Sequence, residues 1–229
     1  MRATGQNAEP LNRKPSAQER GGLPGHVRWL ERWTDLFSRQ QGRALVIDGG
    51  WGLESSLLLG LGFYVTAVDF SAEPNEESLQ RNPLAEHHNV NIRNLGEPLT
   101  GRFSIIAANL SLQAFERRQI EQVFKTAVGF LSPLGVFALR VDASILAPSE
   151  KLRPLVKPAE TSMNHKWITA LVERELEHVS VERWNSSRGG GQESVLEIVG
   201  AKSGGGAPDA WPVPIAANRR RPVEPVRGR

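Results

Sequence analysis

The sequence predicts an α/β fold with a mostly parallel sheet, helices on both faces and an antiparallel hairpin at the C-terminal end. Short apolar runs alternate with segments of helical periodicity, which is the pattern of a parallel sheet. Two segments of strand-like alternation, 177–184 and 194–201, flank a glycine-rich turn and indicate the hairpin. Acids directly follow the first two apolar runs, at Asp48 and Asp69, where open α/β sheets bind their ligands.

The first half of the chain contains three predicted helices and three predicted strands. Aromatic and leucine residues at helical spacing predict a helix over 27–39, and a second helix over 54–61 is expected to end at a glycine. Ser71, followed by acids in the next turn, indicates the start of a third helix. The predicted strands cover 44–47, 64–68 and 89–92.

The second half continues the alternation up to the hairpin. The sequence RFSIIAANL predicts a strong strand over 102–110, and a helix is expected over 115–131. The sequence VFALRV predicts a fifth strand over 136–141, followed by a helix over 164–173. The glycines at 189–191 are interpreted as the hairpin turn, because no Lys-Ser/Thr pair follows them as it would in a phosphate loop.

Length and composition indicate one folded domain between two polar ends. The 229 residues suffice for one α/β domain, which is predicted over 27–203. A disordered leader is expected over 1–26 and a disordered Gly/Pro/Arg-rich tail over 204–229. The absence of cysteine excludes disulfides and thiolate chemistry and fits a cytoplasmic protein. No apolar run is long enough to cross a bilayer, so no membrane contact is expected.

The chain has a net charge of +3, and its excess positive charge lies at the two ends. Residues 1–28 and residues 204–229 each carry +3, which leaves −3 on residues 29–203. Because nucleic-acid enzymes usually have a basic folded surface, this distribution disfavours a nucleic-acid partner. Weak contact with nucleic acid or acidic lipid through Arg219, Arg220 and Arg221 is the exception left open, with a solubilising tail as the favoured interpretation.

Residues 43–71 carry the main functional signal, RALVIDGGWGLESSLLLGLGFYVTAVDFS. The segment is typical of a strand, an acid, a glycine loop, a helix and a second strand that ends in another acid. Glycines let the backbone approach a ligand, and the N-terminus of the helix presents free N–H groups. The carboxylate of Asp69 can accept hydrogen bonds from two ribose hydroxyls. The segment therefore predicts a nucleoside-containing cofactor, with turn or cap roles for Asp48 and Asp69 as the alternative.

These residues, together with GRFSIIAANLSLQAF and FLSPLGVFALRV further along, resemble the motifs of the class I S-adenosylmethionine-dependent methyltransferases. More narrowly, the chain is similar to the small bacterial members of the tellurite-resistance and thiopurine-methyltransferase type. The resemblance covers roughly residues 28 to 202. It implies a Rossmann-like methyltransferase fold, S-adenosylmethionine as the cofactor and methyl transfer to a small-molecule acceptor.

The resemblance also implies which residues contact the cofactor. The loop after the first strand would line the methionine part, and Asp69 would bind the ribose. Phe70 would lie against the adenine, and Asn109 would lie under the methyl group. The implied cofactor-binding residues are Asp48, Gly50, Trp51, Gly52, Asp69, Phe70, Asn91, Ile92 and Asn109. No catalytic residue and no metal ligand is assigned.

The glycine loop is degenerate relative to the family pattern. It is about two residues short, and Trp51 stands where a small residue is usual. Glu54 follows almost directly, and its charge would repel the carboxylate of the cofactor. Asn91 replaces an acid, and Gln113 replaces a common histidine. These differences leave open a catalytically inactive methyltransferase-like protein that acts in binding or as a scaffold.

A nicotinamide-dependent oxidoreductase is a third interpretation. The spacing of Gly50, Gly52 and Ser55 is one residue from the dinucleotide fingerprint. Against it, the acid directly before the glycines is a methyltransferase trait. The only tyrosine, Tyr64, lies inside a predicted strand, so no Tyr-Lys catalytic pair is available.

Five further polar residues have candidate roles. His87 and His88 are expected to be solvated, since they follow a helix and precede a strand. Arg140 and Asp142 end the fifth strand, where they are candidates for an ion pair facing the cleft. His165 is a candidate general base, although a surface position is the favoured interpretation.

Overall fold

The computed structural model describes residues 29–70, 76–91, 94–109, 112, 115–142, 165–188 and 191–204. Several predictions fall outside these ranges: the leader over 1–26, the helix start at Ser71, the adenine contact Ile92, the substituted position Gln113 and the arginines at 219–221.

Within the described ranges, seven strands form a single sheet. They are β1 (Arg43–Ile47), β2 (Tyr64–Asp69), β3 (Glu86–Asn89), β4 (Phe103–Asn109), β5 (Leu131–Asp142), β6 (Glu177–Arg188) and β7 (Gly191–Ala201). Their order is β3-β2-β1-β4-β5-β7-β6. The pairs among β1 to β5 are parallel, whereas β7 pairs antiparallel with both β5 and β6. The predicted α/β fold with a C-terminal antiparallel hairpin is confirmed.

Helices cover both faces of this sheet. A 3-10 helix (Trp29–Trp33) runs into α1 (Thr34–Phe37), and later come α2 (Leu53–Gly60), α3 (Glu76–Arg81), α4 (Arg117–Phe130) and α5 (His165–Glu175). Successive strand residues point to opposite faces, so one core forms against α4 and α5 and another against α2 and the segment 29–37. β1 is buried on both faces, which explains its uninterrupted apolar run. None of the described helices is both long and apolar enough to cross a membrane.

The position predicted for the third strand is wrong by three residues. The apolar side chains of Val90 and Ile92 suggested a strand over 89–92, but β3 is the polar segment Glu86–Asn89. β3 lies at the edge of the sheet and pairs only with β2 among the described strands. Backbone hydrogen bonds hold such an edge strand, so its side chains need not be apolar.

The first predicted helix is partly a different kind of helix. The segment predicted over 27–39 is described from residue 29, and its first five described residues are 3-10 rather than α-helical. Its packing agrees with the predicted periodicity, because the side chains that reach the core are Trp29, Leu30, Trp33, Leu36 and Phe37.

Candidate functional site

The loop between β1 and α2 follows a tight path with left-handed residues. Asp48, Gly50 and Gly52 have φ angles of 52°, 52° and 76°. Aspartate visits this region more readily than most non-glycine residues, although the conformation remains costly. The amide of Asp48 donates to the carbonyl oxygen of Val68 at 2.6 Å, which ties the loop to the end of β2.

Asn82 holds this loop from the side of α3. Its side chain is 1% exposed, and its amide nitrogen donates to the carbonyl oxygen of Gly52 at 2.8 Å. Its Oδ1 accepts a hydrogen bond from the Ser56 hydroxyl at 2.7 Å. Sequence reasoning missed Asn82, because a single asparagine after a short helix forms no recognisable pattern. Asn82 acts on the site by fixing the carbonyl group of Gly52, the residue directly before α2.

Gly52 is required by this packing. An added Cβ would lie 2.2 Å from Nδ2 of Asn82 and 2.7 Å from Oγ of Ser78. We expect Gly52→Ala to lower the free energy of unfolding by about 3 kcal/mol, because left-handed strain and overpacking add together. Chemical denaturation would measure it.

Gly62→Ala is the matched control for this substitution. Gly62 also has a positive φ, of 88°, but an added Cβ there would meet nothing within 4 Å. It should therefore cost only the backbone strain, about 1 kcal/mol. Equal losses in the two variants would show that contact with Asn82 is unimportant.

A hollow opens beside the glycine loop, between α2, α3 and the ends of β2 and β3. Its empty volume is about 340 Å³, counting the space open to solvent. Its lining includes Gly49, Gly50, Ser55, Asp69, Ser78 and His87. The structure thus brings Gly50 and Asp69 to one cavity, and the half-buried Trp51 is not part of its lining.

The histidines of β3 are half-buried, so the prediction that they are solvated is wrong. Nε2 of His87 lies 3.1 Å from the carbonyl oxygen of Asn82, and Nε2 of His88 lies 3.0 Å from a carboxylate oxygen of Glu86. Both residues line the hollow, because β3 begins three residues earlier than predicted.

The residues predicted to contact adenine lie near the ends of β2 and β3. Phe70 is half-buried, with its ring edge-on to Phe115 at a centroid distance of 5.5 Å. Asn91 is exposed, and its carbonyl oxygen accepts a hydrogen bond from the amide of Asn94 at 2.8 Å. Neither Phe70 nor Asn91 lines the hollow.

A buried carboxyl group lies at the carboxyl end of β4. The side chain of Glu54 is 5% exposed and accepts hydrogen bonds from Nε1 of Trp29 at 3.0 Å and from Nδ2 of Asn109 at 2.6 Å. Burial raises the pKa of Glu54, and these hydrogen bonds together with the charge of Arg140 act in the opposite direction. Oδ1 of Asn109 is buried and accepts no hydrogen bond from any described residue.

Charged side chains extend from this point across β5 and β7. Nε of Arg140 lies 3.5 Å from Oε1 of Glu197, which is 1% exposed. Arg32 binds the other oxygen of Glu197 and stacks over the ring of Trp184, at 3.9 Å from its centroid. Burial lowers the pKa of Arg140 to about 10, with Arg32 adding to the effect and Glu54 opposing it, so the guanidinium stays cationic at neutral pH.

Arg140 contacts Glu197, whereas the ion pair predicted between Arg140 and Asp142 stays a prediction. The side chains of Asp142 and His165 lie outside the described part. Sequence reasoning missed Glu197, because an isolated glutamate in a strand is normally expected to face solvent.

Solved structures with the same architecture include several methyltransferases. The N-methyltransferase NodS from Bradyrhizobium japonicum WM9 superposes with a TM-score of 0.58 at 16% identity, covering 78% of this chain and 94% of that one. Magnesium protoporphyrin IX methyltransferase from Synechocystis PCC 6803, with bound S-adenosylhomocysteine, gives 0.58 at 13% identity, covering 82% and 89%. An S-adenosylmethionine-dependent methyltransferase from Clostridium acetobutylicum ATCC 824 gives 0.58 at 13% identity, covering 78% and 92%. No family model matches the chain, and no curated protein matches it in sequence.

The chain has the Rossmann-like methyltransferase fold. The antiparallel β7, inserted between β5 and β6, separates this arrangement from the 3-2-1-4-5-6 order of dinucleotide-binding folds. The sheet order therefore does not support the oxidoreductase alternative, which stays a hypothesis.

Three of the predicted site residues, Asp48, Asp69 and Asn109, lie at the carboxyl ends of the parallel strands. The strand order reverses between β1 and β4, and ligands of such sheets bind outside the carboxyl ends at this point. Asp48 follows β1, whereas Asp69 and Asn109 are the last residues of β2 and β4. The site thus has two parts, with the hollow at β2 and β3 and the buried Glu54 at β4.

Proposed function

We propose that this chain binds S-adenosylmethionine and transfers its methyl group to a small-molecule acceptor in the cytoplasm. The observation that carries the proposal is the hollow where Asp69 meets the backbone of the glycine loop. A carboxylate at the end of β2 can accept hydrogen bonds from both hydroxyls of a ribose. NodS, which shares the fold, was also solved with S-adenosylhomocysteine, at a TM-score of 0.55 and 16% identity.

The chain's own residues would hold and orient the cofactor. S-adenosylmethionine supplies the activated methyl group, and the protein contributes positioning and a shaped, water-poor site. Asp69 would hold the ribose, and the left-handed loop at 48–52 would bring backbone groups against the ligand. Trp29 is 2% exposed and donates to Glu54, which also contacts Asn109 at the end of β4, so its ring would help to exclude water there.

The residues at β4 fit the amino-acid end of the cofactor if the carboxyl group of Glu54 is neutral. The buried Oδ1 of Asn109 is an acceptor without a described partner, and the ammonium group of the cofactor is a suitable donor. Glu54 would repel the cofactor carboxylate when ionised, but burial raises its pKa and favours the neutral form. The net charge of −3 on residues 29–203 supports a small acceptor over nucleic acid.

Isothermal titration calorimetry of the full chain with S-adenosylhomocysteine tests the proposal. We expect a dissociation constant between about 1 μM and 1 mM, the range in which enzymes commonly bind their substrates. The absence of binding at millimolar ligand, in protein whose cooperative thermal unfolding shows that it is folded, would reject it.

A binding or scaffold protein without catalytic activity is the second candidate. The observation that favours it is the contact of Glu54 with Asn109, which fills the carboxyl end of β4 with protein side chains. Calorimetry separates the two candidates, because a scaffold of this kind would fold normally and show no heat of binding.

A further inference from the structure

Ser55 carries a buried hydroxyl group for which the described structure offers no partner. The residue lies in the first turn of α2 and is 0% exposed, and its Oγ makes no hydrogen bond to any described residue. Buried hydroxyls are almost always hydrogen-bonded, so such an exception calls for an explanation. Ser55 also lines the hollow beside the glycine loop, so the explanation can be a ligand in that hollow.

The other polar groups of the hollow define what such a ligand must offer. Asp69, when ionised, can only accept hydrogen bonds. Nε2 of His87 faces the carbonyl oxygen of Asn82, which can only accept, so this nitrogen donates within the protein. The lining thus combines the Asp69 carboxylate, which accepts, with the Ser55 hydroxyl, which can donate. A ligand hydroxyl suits these groups, because it can donate a hydrogen bond to Asp69 and accept one from Ser55.

We propose that Ser55 determines specificity at the nucleoside end of the site by donating a hydrogen bond to a ribose hydroxyl that itself donates to Asp69. This inference rests on the proposed binding of S-adenosylmethionine. A hydroxyl that gives its proton to Asp69 keeps its lone pairs, and Ser55 is a donor in the same hollow. Removing that hydroxyl from the ligand leaves the Ser55 hydroxyl without a partner and takes one hydrogen bond from Asp69, and sites of this kind discriminate strongly.

Calorimetry of the full chain and of Ser55→Ala, with S-adenosylhomocysteine and with its 2′-deoxy and 3′-deoxy analogues, tests the inference. We expect Ser55→Ala to bind S-adenosylhomocysteine about 5- to 10-fold more weakly, as for a lost hydrogen bond. We also expect it to discriminate less, by a similar factor, against one of the two analogues, because the lost bond belongs to one ligand hydroxyl. Its thermal midpoint should be unchanged or higher, because the hydroxyl makes no bond to the described protein.

Ser104→Ala is the matched control. The hydroxyl of Ser104 donates to the carbonyl oxygen of Gln41, and Ser104 does not line the hollow. This variant should lose stability and keep its affinity, the reverse of Ser55→Ala.

Four results would overturn the inference. Wild-type affinity in Ser55→Ala, or unchanged discrimination against both analogues, would refute the role of Ser55 and leave the proposed function standing. A lower thermal midpoint with an equal loss of affinity for all three ligands would indicate a structural role. A wild-type protein that binds none of the three ligands would refute the proposed function and this inference together.

Discussion

Replacing Asp69 by alanine is expected to weaken binding of S-adenosylhomocysteine at least about 100-fold while leaving the protein folded. The carboxylate would accept two hydrogen bonds from the ribose, and each bond to a charged group is worth about 1.5–3 kcal/mol. Their loss amounts to about 3 kcal/mol or more, and 1.4 kcal/mol corresponds to a factor of about ten. Asp69 is the last residue of β2 and half-buried, so its side chain is not part of either core. Calorimetry gives the affinity, and thermal unfolding confirms the fold.

Two further variants make this measurement specific. Asp69→Asn keeps an acceptor oxygen but introduces a donor, so an intermediate loss is expected. Asp35→Ala removes an equal charge from the exposed surface of α1 and should leave affinity unchanged. A folded Asp69→Ala variant that binds within threefold of wild type would mean that the ribose is not held at β2.

Replacing Glu54 by alanine is expected to lower the free energy of unfolding by about 3–5 kcal/mol. The substitution leaves two buried donors, Nε1 of Trp29 and Nδ2 of Asn109, without their acceptor. Unsatisfied buried groups are costly, whereas the hydrogen bonds themselves contribute little net stability. Urea denaturation followed by circular dichroism would measure the loss.

Glu54→Gln separates the role of charge from that of shape. Gln retains an acceptor oxygen, so its loss of stability should be smaller than that of Glu54→Ala. Because the raised pKa means that folded Glu54 binds its proton more tightly than the unfolded chain does, wild type should lose stability as pH rises from 4.5 through the folded pKa. The stability of wild type minus that of Glu54→Gln should therefore fall with increasing pH.

Glu77→Ala is the control for removing a glutamate. Glu77 is exposed on α3 and pairs with Arg81 four residues later, so its loss should cost about 0.5 kcal/mol. A Glu54→Ala variant as stable as Glu77→Ala would show that the hydrogen bonds of Glu54 with Trp29 and Asn109 do not stabilise the fold.

The part of the fold that could be predicted from sequence is the part in which local pattern and tertiary position agree. β1 and β4 are buried on both faces, so their continuous apolar runs identified them. The acids at 48 and 69 and the glycines between them identified the edge where the hollow lies. The hairpin was predicted because both of its strands alternate, and the structure extends β6 and β7 beyond the predicted bounds.

The rest depended on contacts between distant residues. α2 presents two polar side chains, Glu54 and Ser55, to the protein interior, and no periodic rule predicts that. Their burial is set by Trp29, Asn109 and the neighbouring strands. β3 was misplaced for a related reason, since its pairing with β2 uses the backbone while its side chains are polar.

The position of β7 between β5 and β6 also determines when all strands of the sheet can be paired during synthesis. A ribosome releases residues 191–201 after every other strand of the described sheet, so β6 has no neighbour in the sheet until then. Arg32, close to the beginning of the described chain, binds Glu197 in that same strand. Nascent chains that stop short of β7 would expose the flank of β5, and they would depend on chaperones until the missing strand emerges.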